Sequence, residues 1–241
     1  MNGLDSHTLM TAIMVDGGFY QKRAKTLWGE KTPKERASEL VRYCNLHITQ
    51  TKELRFLYRI FYYDCPPLGK KLRHPLTNAE IDLSKTPLYG WMTDFHEALR
   101  NKRKLALRFG QLSEKRAHYS ISPEAVKKLC NKTIDIERLT EADFIMNVEQ
   151  KGVDMKIGLD IASLAYKGKV DQIILISGDS DFVPAAKHAR REGIDFILDP
   201  MWADIKPDLN EHIDGLHSFR NASKPKYRVK KTSVIEDIDP K

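Results

Sequence analysis

Asp171-Gln172-Ile173-Ile174-Leu175-Ile176-Ser177-Gly178-Asp179-Ser180-Asp181-Phe182 is the stretch that decides the fold. Ile173 to Ile176 are apolar without a break, and the run stops on Ser-Gly-Asp-Ser-Asp. A short apolar run closed by a turn signal reads as a strand buried on both faces, as in parallel sheets covered by helices. Open α/β sheets bind ligands at the carboxyl ends of their strands. Asp179 and Asp181 therefore stand where a site belongs. Two carboxylates ahead of a predicted helix suit a hard divalent cation better than a core.

A second strand ends in the same way. Met10 to Val15 is apolar apart from Thr11 and runs into Asp16-Gly17-Gly18. If the two strands are parallel neighbours, Asp16 shares a sheet edge with Asp179 and Asp181. Lys151-Gly152-Val153-Asp154 opens the helical pattern Met155, Ile157, Ile161, Leu164, Ala165. Gly152 permits a tight turn, and Asp154 then lies in the first helical turn, where the dipole favours an acid. Asp16, Asp154, Asp179 and Asp181 thus come from three separate segments. Magnesium or manganese held by them can polarise a phosphodiester and activate a water.

Each carboxylate also has a simpler reading. Asp179 or Asp181 alone can be an N-cap for the helix that follows, with Asp181 or Ser180 favoured, since Asp and Ser are preferred capping residues. Asp16 before two glycines can be a turn residue, and Asp154 can serve only the helix dipole. Taken singly these readings win; a strand-edge pattern that occurs twice favours the metal cluster. Asp160 lies six residues after Asp154, about 120° around an ideal helix, and stays outside the site.

These segments resemble the NYN domains of the PIN-like nuclease superfamily, especially the LabA-like branch. The resemblance rests on Ile13-Met14-Val15-Asp16-Gly17-Gly18-Phe19, on Lys151-Gly152-Val153-Asp154 through Asp160-Ile161, and on Ser177 to Phe182, in that order. It spans roughly residues 9 to 219. It implies a PIN-like fold and metal-dependent cleavage of RNA, with the metal role falling on Asp16, Asp154, Asp179 and Asp181. One departure stands out: many relatives carry Asn where this chain has Gly17 or Gly18.

Along the chain, helical and strand patterns alternate. Helices are expected around Gly18–Leu27, after Pro33, and around Trp91, Phe95 and Leu99 at i, i+4, i+8. Strands are expected over Leu54–Tyr63, at Leu105, Leu107 and Phe109, and over Ile194–Leu198, with a helix over Val183–Arg191. The fold class is α/β: a doubly wound, mostly parallel sheet with helices on both faces. Residues 66 to 87 hold four prolines and the basic Lys70, Lys71, Arg73 and His74, and read as a long variable loop. Asp64 ahead of two prolines reads as a turn residue. Residues 113 to 143, with a short helix over Pro123–Cys130, fit the alternation less well and read as an insertion.

The chain is long enough for one domain with a proper core. Its 241 residues carry a net charge of +7, but only +3 of this falls on residues 1 to 219. Arg220 to Lys231 holds six basic and no acidic residues, so 220–241 reads as a basic, flexible tail. Such a tail can contact phosphates without reading sequence. Cys44, Cys65 and Cys130 have no metal-binding spacing, and read as reduced thiols in a cytoplasmic protein. There is no signal-peptide pattern and no apolar run long enough to span a bilayer. The eight histidines show no zinc spacing, and a phosphate-binding Gly-x-x-x-x-Gly-Lys loop is absent. A haloacid-dehalogenase-type phosphatase needs a second Asp two residues after the first, and Gly18 stands there.

Lys22, Arg23 and Lys25 follow the first motif and Lys156 follows Asp154, so these four are the basic groups expected along an RNA path. Tyr20, Trp28 and Trp202 are candidates for stacking on bases, although aromatics more often serve the core. The leading reading is a metal-dependent ribonuclease; the competing one is a non-catalytic RNA-binding or regulatory module that keeps the fold. An exposed sheet edge or the 113–143 insertion offers a surface for a homodimer, and the sequence selects neither.

Overall fold

The computed structural model describes residues 8–113, 117–148 and 150–219. The basic tail, 220–241, lies outside them. In chain order they form β1 (Leu9–Asp16), α1 (Gly17–Trp28), α2 (Pro33–Thr49), β2 (Arg55–Asp64), β3 (Lys71–Arg73), β4 (Glu80–Asp82), α3 (Pro87–Arg100), β5 (Leu105–Phe109) and β6 (Gln111–Leu112). There follow β7 (His118–Ile121), α4 (Pro123–Cys130), β8 (Phe144–Asn147), β9 (Gln150–Lys151), α5 (Val153–Tyr166), β10 (Gln172–Ile176), α6 (Val183–Arg191), β11 (Asp195–Asp199), α7 (Pro207–Glu211) and β12 (Gly215–Leu216).

Six strands make one sheet in the order β12-β11-β10-β1-β2-β5, and every pairing in it is parallel. The chain builds outward from β1 to β2 and β5, then returns to the other side of β1 and builds outward through β10, β11 and β12. The direction of winding reverses between β1 and β10. In an open α/β sheet, that reversal leaves a crevice outside the carboxyl ends of the two strands.

The unbroken apolar runs are explained by burial on both faces. Ala12 and Met14 of β1, with Ile173 and Leu175 of β10, point into a layer covered by α5 and α6 through Ile157, Ile161, Ala186 and Ala189. Ile13 and Val15, with Ile174 and Ile176, point the other way, under Tyr20 and Ala24 of α1, Leu40 and Tyr43 of α2, and Phe95 and Leu99 of α3. Burying one such side chain is worth about 1.5–3 kcal/mol, so these two strands anchor the sheet. Capping sharpens the helix starts: Thr32 and Glu35 form a reciprocal capping box at α2, and Pro33 occupies its first turn.

One expectation changes and one strand is added. Residues 66–87 are not one irregular loop; they contain the hairpin β3–β4, paired from Lys71 with Asp82 to Arg73 with Glu80. The edge strand β12 had no signal, because two residues carry no periodicity. Both long excursions, from β2 to α3 and from β5 to α5, leave from the carboxyl edge of the sheet. They meet there: the His74 ring lies 4.9 Å from Tyr119 and 5.0 Å from Phe144, and Thr77 Oγ1 donates to Glu141 at 2.7 Å.

Candidate metal centre

The last paired residues of the two central strands are Val15 and Ile176, so Asp16 and Ser177 follow side by side. Ser177 is buried, and its hydroxyl donates to Asp16 Oδ2 at 3.1 Å. The same hydroxyl oxygen accepts the Asp179 N–H at 3.3 Å. Ser177 thus ties the carboxylate of one strand to the turn after the other. In the sequence this serine shows only as an isolated hydroxyl at the end of an apolar run, a signal too weak to assign it a role.

Asp179 keeps its simpler reading as a cap, and Asp16, whose simpler reading is a turn residue, is a helix cap instead. Asp16 caps α1, its Oδ1 accepting the Phe19 N–H at 3.1 Å. Asp179, rather than Ser180 or Asp181, caps the turn Ser180–Phe182 by accepting the Asp181 N–H at 3.0 Å. A carboxylate has about four lone-pair sites, so capping with one leaves others to face a cation. Asp154 falls in the first turn of α5, in line with its pattern, and the residue before that helix is Gly152 at φ +79°. An L side chain rarely adopts that conformation.

Gly178 locks two of these motifs together, and Gly17 seats the first of them against β2. A Cβ on Gly178 would lie 2.8 Å from the Phe19 ring, and one on Gly17 would lie 2.5 Å from the Tyr63 carbonyl oxygen. The Asp-Gly-Gly-Phe and Ser-Gly-Asp-Ser-Asp segments therefore interlock. Gly17 leaves no room for a side chain. Gly18 does: a Cβ there would be 3.6 Å from Asp16 Oδ1.

The electrostatics join all four aspartates. Burial holds the Asp16 carboxyl above its usual range; the Phe19 N–H and Ser177 hydroxyl oppose this, while Asp154 and Asp179 add to it. Burial also raises Asp154, and Asp179 and Asp181 push it the same way. Asp154, Asp179 and Asp181 are exposed and Asp16 is half-buried. No three of the four bring an oxygen each within 4.8 Å of one another. Among the described residues such a trio occurs instead at Asp208, Glu211 and His212 of the α7 region, where His212 and Asp208 already pair at 3.5 Å. The donor chemistry of the four aspartates, all hard oxygen and mutually repelling, fits magnesium or manganese.

Other strand-end acids are engaged elsewhere. Asp64, read as a turn residue, is instead the buried last residue of β2: it accepts the Cys65 N–H at 2.7 Å and pairs with His96 Nε2 at 3.0 Å. Asp199, at the end of β11, is fully buried and pairs with His47 Nε2 at 2.7 Å. Asp160 stays outside the site; it accepts from Tyr63 Oη at 2.9 Å and pairs with Arg108 at 3.0 Å. Of the basic residues expected on the RNA path, Lys22 is exposed, and Lys25 pairs with Glu30 at 2.7 Å. Arg23 donates to the Met201 carbonyl at 2.6 and 3.1 Å, and Lys156 donates to the Phe109 carbonyl. Tyr20 and Trp28 are buried, and Trp202 is half-buried.

The NYN domain family matches residues 81–206, just over half of the chain. The match includes Asp154, Asp179 and Asp181; Asp16 precedes it. No curated protein matches the chain. A crystal structure of a protein of unknown function from Vibrio parahaemolyticus is similar at 14% identity and a TM-score of 0.47, over 93% of this chain and 99% of that one.

Proposed function

The chain belongs to the NYN domain family of the PIN-like nuclease superfamily, and from that premise we propose that it is a metal-dependent ribonuclease of the LabA-like branch. It hydrolyses RNA phosphodiester bonds, acting in the cytoplasm on single-stranded or structured RNA. The observation that carries this reading is the position of Asp16, Ser177 and Asp179 at the point where the sheet reverses its winding. Asp154 belongs with them electrostatically, since its carboxyl is raised by burial and by the charges of Asp179 and Asp181.

Asp16, Asp154 and Asp179 would hold the cation, and Asp181 would be a further ligand or orient the attacking water. Bound magnesium or manganese would polarise the phosphate and lower the pKa of a bound water. The chain's own part is to fix the geometry. Ser177 holds Asp16 Oδ2 in place, and the capped turn fixes Asp179 relative to Asp181. The raised carboxyls reflect burial first and the neighbouring like charges second, and a bound cation would offset both.

The test uses end-labelled RNA and DNA oligonucleotides with manganese, with magnesium and with EDTA, and Asp179→Asn alongside. Metal-dependent RNA cleavage that disappears in the variant supports the enzyme and its site together. RNA binding without cleavage in any metal favours the non-catalytic module, a reading to which Gly17 and Gly18 lend weight by supplying no amide beside Asp16.

A further inference from the structure

The segment from Pro200 to Lys206 leaves the end of β11 and arrives back at the acidic turn. Met201 and Trp202 both have left-handed backbones, with φ +46° and +59°. Such conformations in non-glycine residues cost of the order of 1–3 kcal/mol each and persist only where the surroundings over-determine them. Here they do. Asp199 Oδ1 accepts the Met201 N–H at 2.7 Å, the Arg23 guanidinium donates twice to the Met201 carbonyl, and the Trp202 N–H donates to Ser218 Oγ at 3.4 Å. Asp199 is itself fixed by His47 and by the Ser218 hydroxyl, at 2.6 Å. Polar groups that the hydrolytic site does not use, the buried Asp199 and His47 among them, thus anchor the start of the loop at Met201 and Trp202.

The loop carries a half-buried Trp202 and an exposed Lys206. Trp202 rests partly buried on the core layer beneath α1 to α3. Lys206 is exposed and reaches the acidic turn, donating to Ser180 Oγ at 3.1 Å, between Asp179 and Asp181. Among the described residues no carboxylate lies within 4.0 Å of its ammonium. A cation seated on a hydroxyl beside a carboxylate cluster, with no carboxylate of its own, is placed for an anion brought to that cluster. An aromatic and a cation on one anchored loop are what single-stranded nucleic acid takes: a ring for a base and a charge for a phosphate.

We propose that the Pro200–Lys206 loop is the docking element for single-stranded RNA, with Lys206 contacting a backbone phosphate and Trp202 stacking on a base. The proposal deepens the ribonuclease reading by naming its substrate contact, and it rests on that reading for the identity of the anion. Arg23, expected on the RNA path, acts here as a positioning residue that holds the loop.

Binding of a short fluorescein-labelled single-stranded RNA to the full chain in EDTA tests it without any cleavage, with Lys206→Ala, Trp202→Ala and Trp202→Phe compared across salt concentrations. Lys206→Ala should weaken binding and lower the slope of log K against log salt by about 0.7, one phosphate contact on a single strand. Trp202→Ala should weaken binding about tenfold, within the range of one aromatic stack. Trp202→Phe keeps a ring and should retain most of the affinity, which separates stacking from loss of fold. Wild-type affinity and an unchanged salt slope in Lys206→Ala, together with wild-type affinity in Trp202→Ala, overturn the proposal, as does a wild-type chain that does not bind the RNA. If the wild type binds through these residues but cleaves in no metal, the docking loop stands and the hydrolytic reading falls. If it cleaves while both variants bind normally, the reverse holds.

Discussion

Ser177→Ala tests the joint between the two central strands. The hydroxyl serves two partners from a fully buried position: it donates to Asp16 Oδ2 at 3.1 Å and accepts the Asp179 N–H at 3.3 Å. A hydrogen bond to a charged group contributes about 1.5–3 kcal/mol. Asp16 is half-buried, so water can replace part of what is lost, and the lower end of that range applies. For a chain of this size 1 kcal/mol corresponds to about 2–4 °C in Tm, giving an expected fall of about 3–6 °C by calorimetry in EDTA. The same hydroxyl opposes the rise in the Asp16 carboxyl. Its removal therefore lets the carboxyl rise further and moves the manganese concentration for half-maximal thermal stabilisation upward. A double-mutant cycle with Asp16→Ala should show coupling of at least about 0.5 kcal/mol, because the two side chains share one bond. Strict additivity, or a Ser177→Ala chain with unchanged Tm and manganese dependence, would defeat the idea that Ser177 sets the site.

Gly17→Ala should cost about 1–3 kcal/mol through overpacking against the Tyr63 carbonyl, whereas Gly18→Ala, with 3.6 Å to its nearest neighbour, should leave the denaturation midpoint within about 0.5 kcal/mol of wild type. His47→Ala leaves the buried Asp199 Oδ2 without its histidine partner, and urea unfolding should report a loss of about 3 kcal/mol or more. The folded pKa values of Asp16 and Asp154 lie above their ordinary value, so the folded state binds the extra protons in that window. Metal-free stability should therefore fall as pH rises through it. Manganese binding needs the ionised carboxylates and should instead weaken as pH falls through the same window; calorimetry with and without manganese reads both slopes.

Much of this arrangement was legible from local pattern. Two apolar runs ending on Asp marked the central strands, because a strand buried on both faces must be apolar throughout. The boundaries of α4 and α6 followed from Pro123 and the Val183-Pro184 start, where proline favours the first helical turn. Gly152 announced the left-handed residue ahead of Asp154. The hairpin β3–β4 was hidden by prolines on either side of it, and β12 by its length.

Side-chain allegiance was not legible. Asp16, Asp64 and Asp199 each end a strand, and the sequence offers no rule that sends the first to a cluster of carboxylates and the other two to buried histidines. His96 lies 32 residues from Asp64, and His47 lies 152 from Asp199. Arg23 looked like a basic group beside the first motif, but its donors are taken by a carbonyl 178 residues away. Short-range pattern was enough to reveal the class of fold, the strands that anchor it and the four carboxylates near its carboxyl edge, because burial and backbone conformation constrain neighbouring residues together. Which of those charges are neutralised by a partner and which stay free to act emerges only once the chain is folded, because a hydrogen bond joins groups close in space and their separation along the chain carries no trace of it.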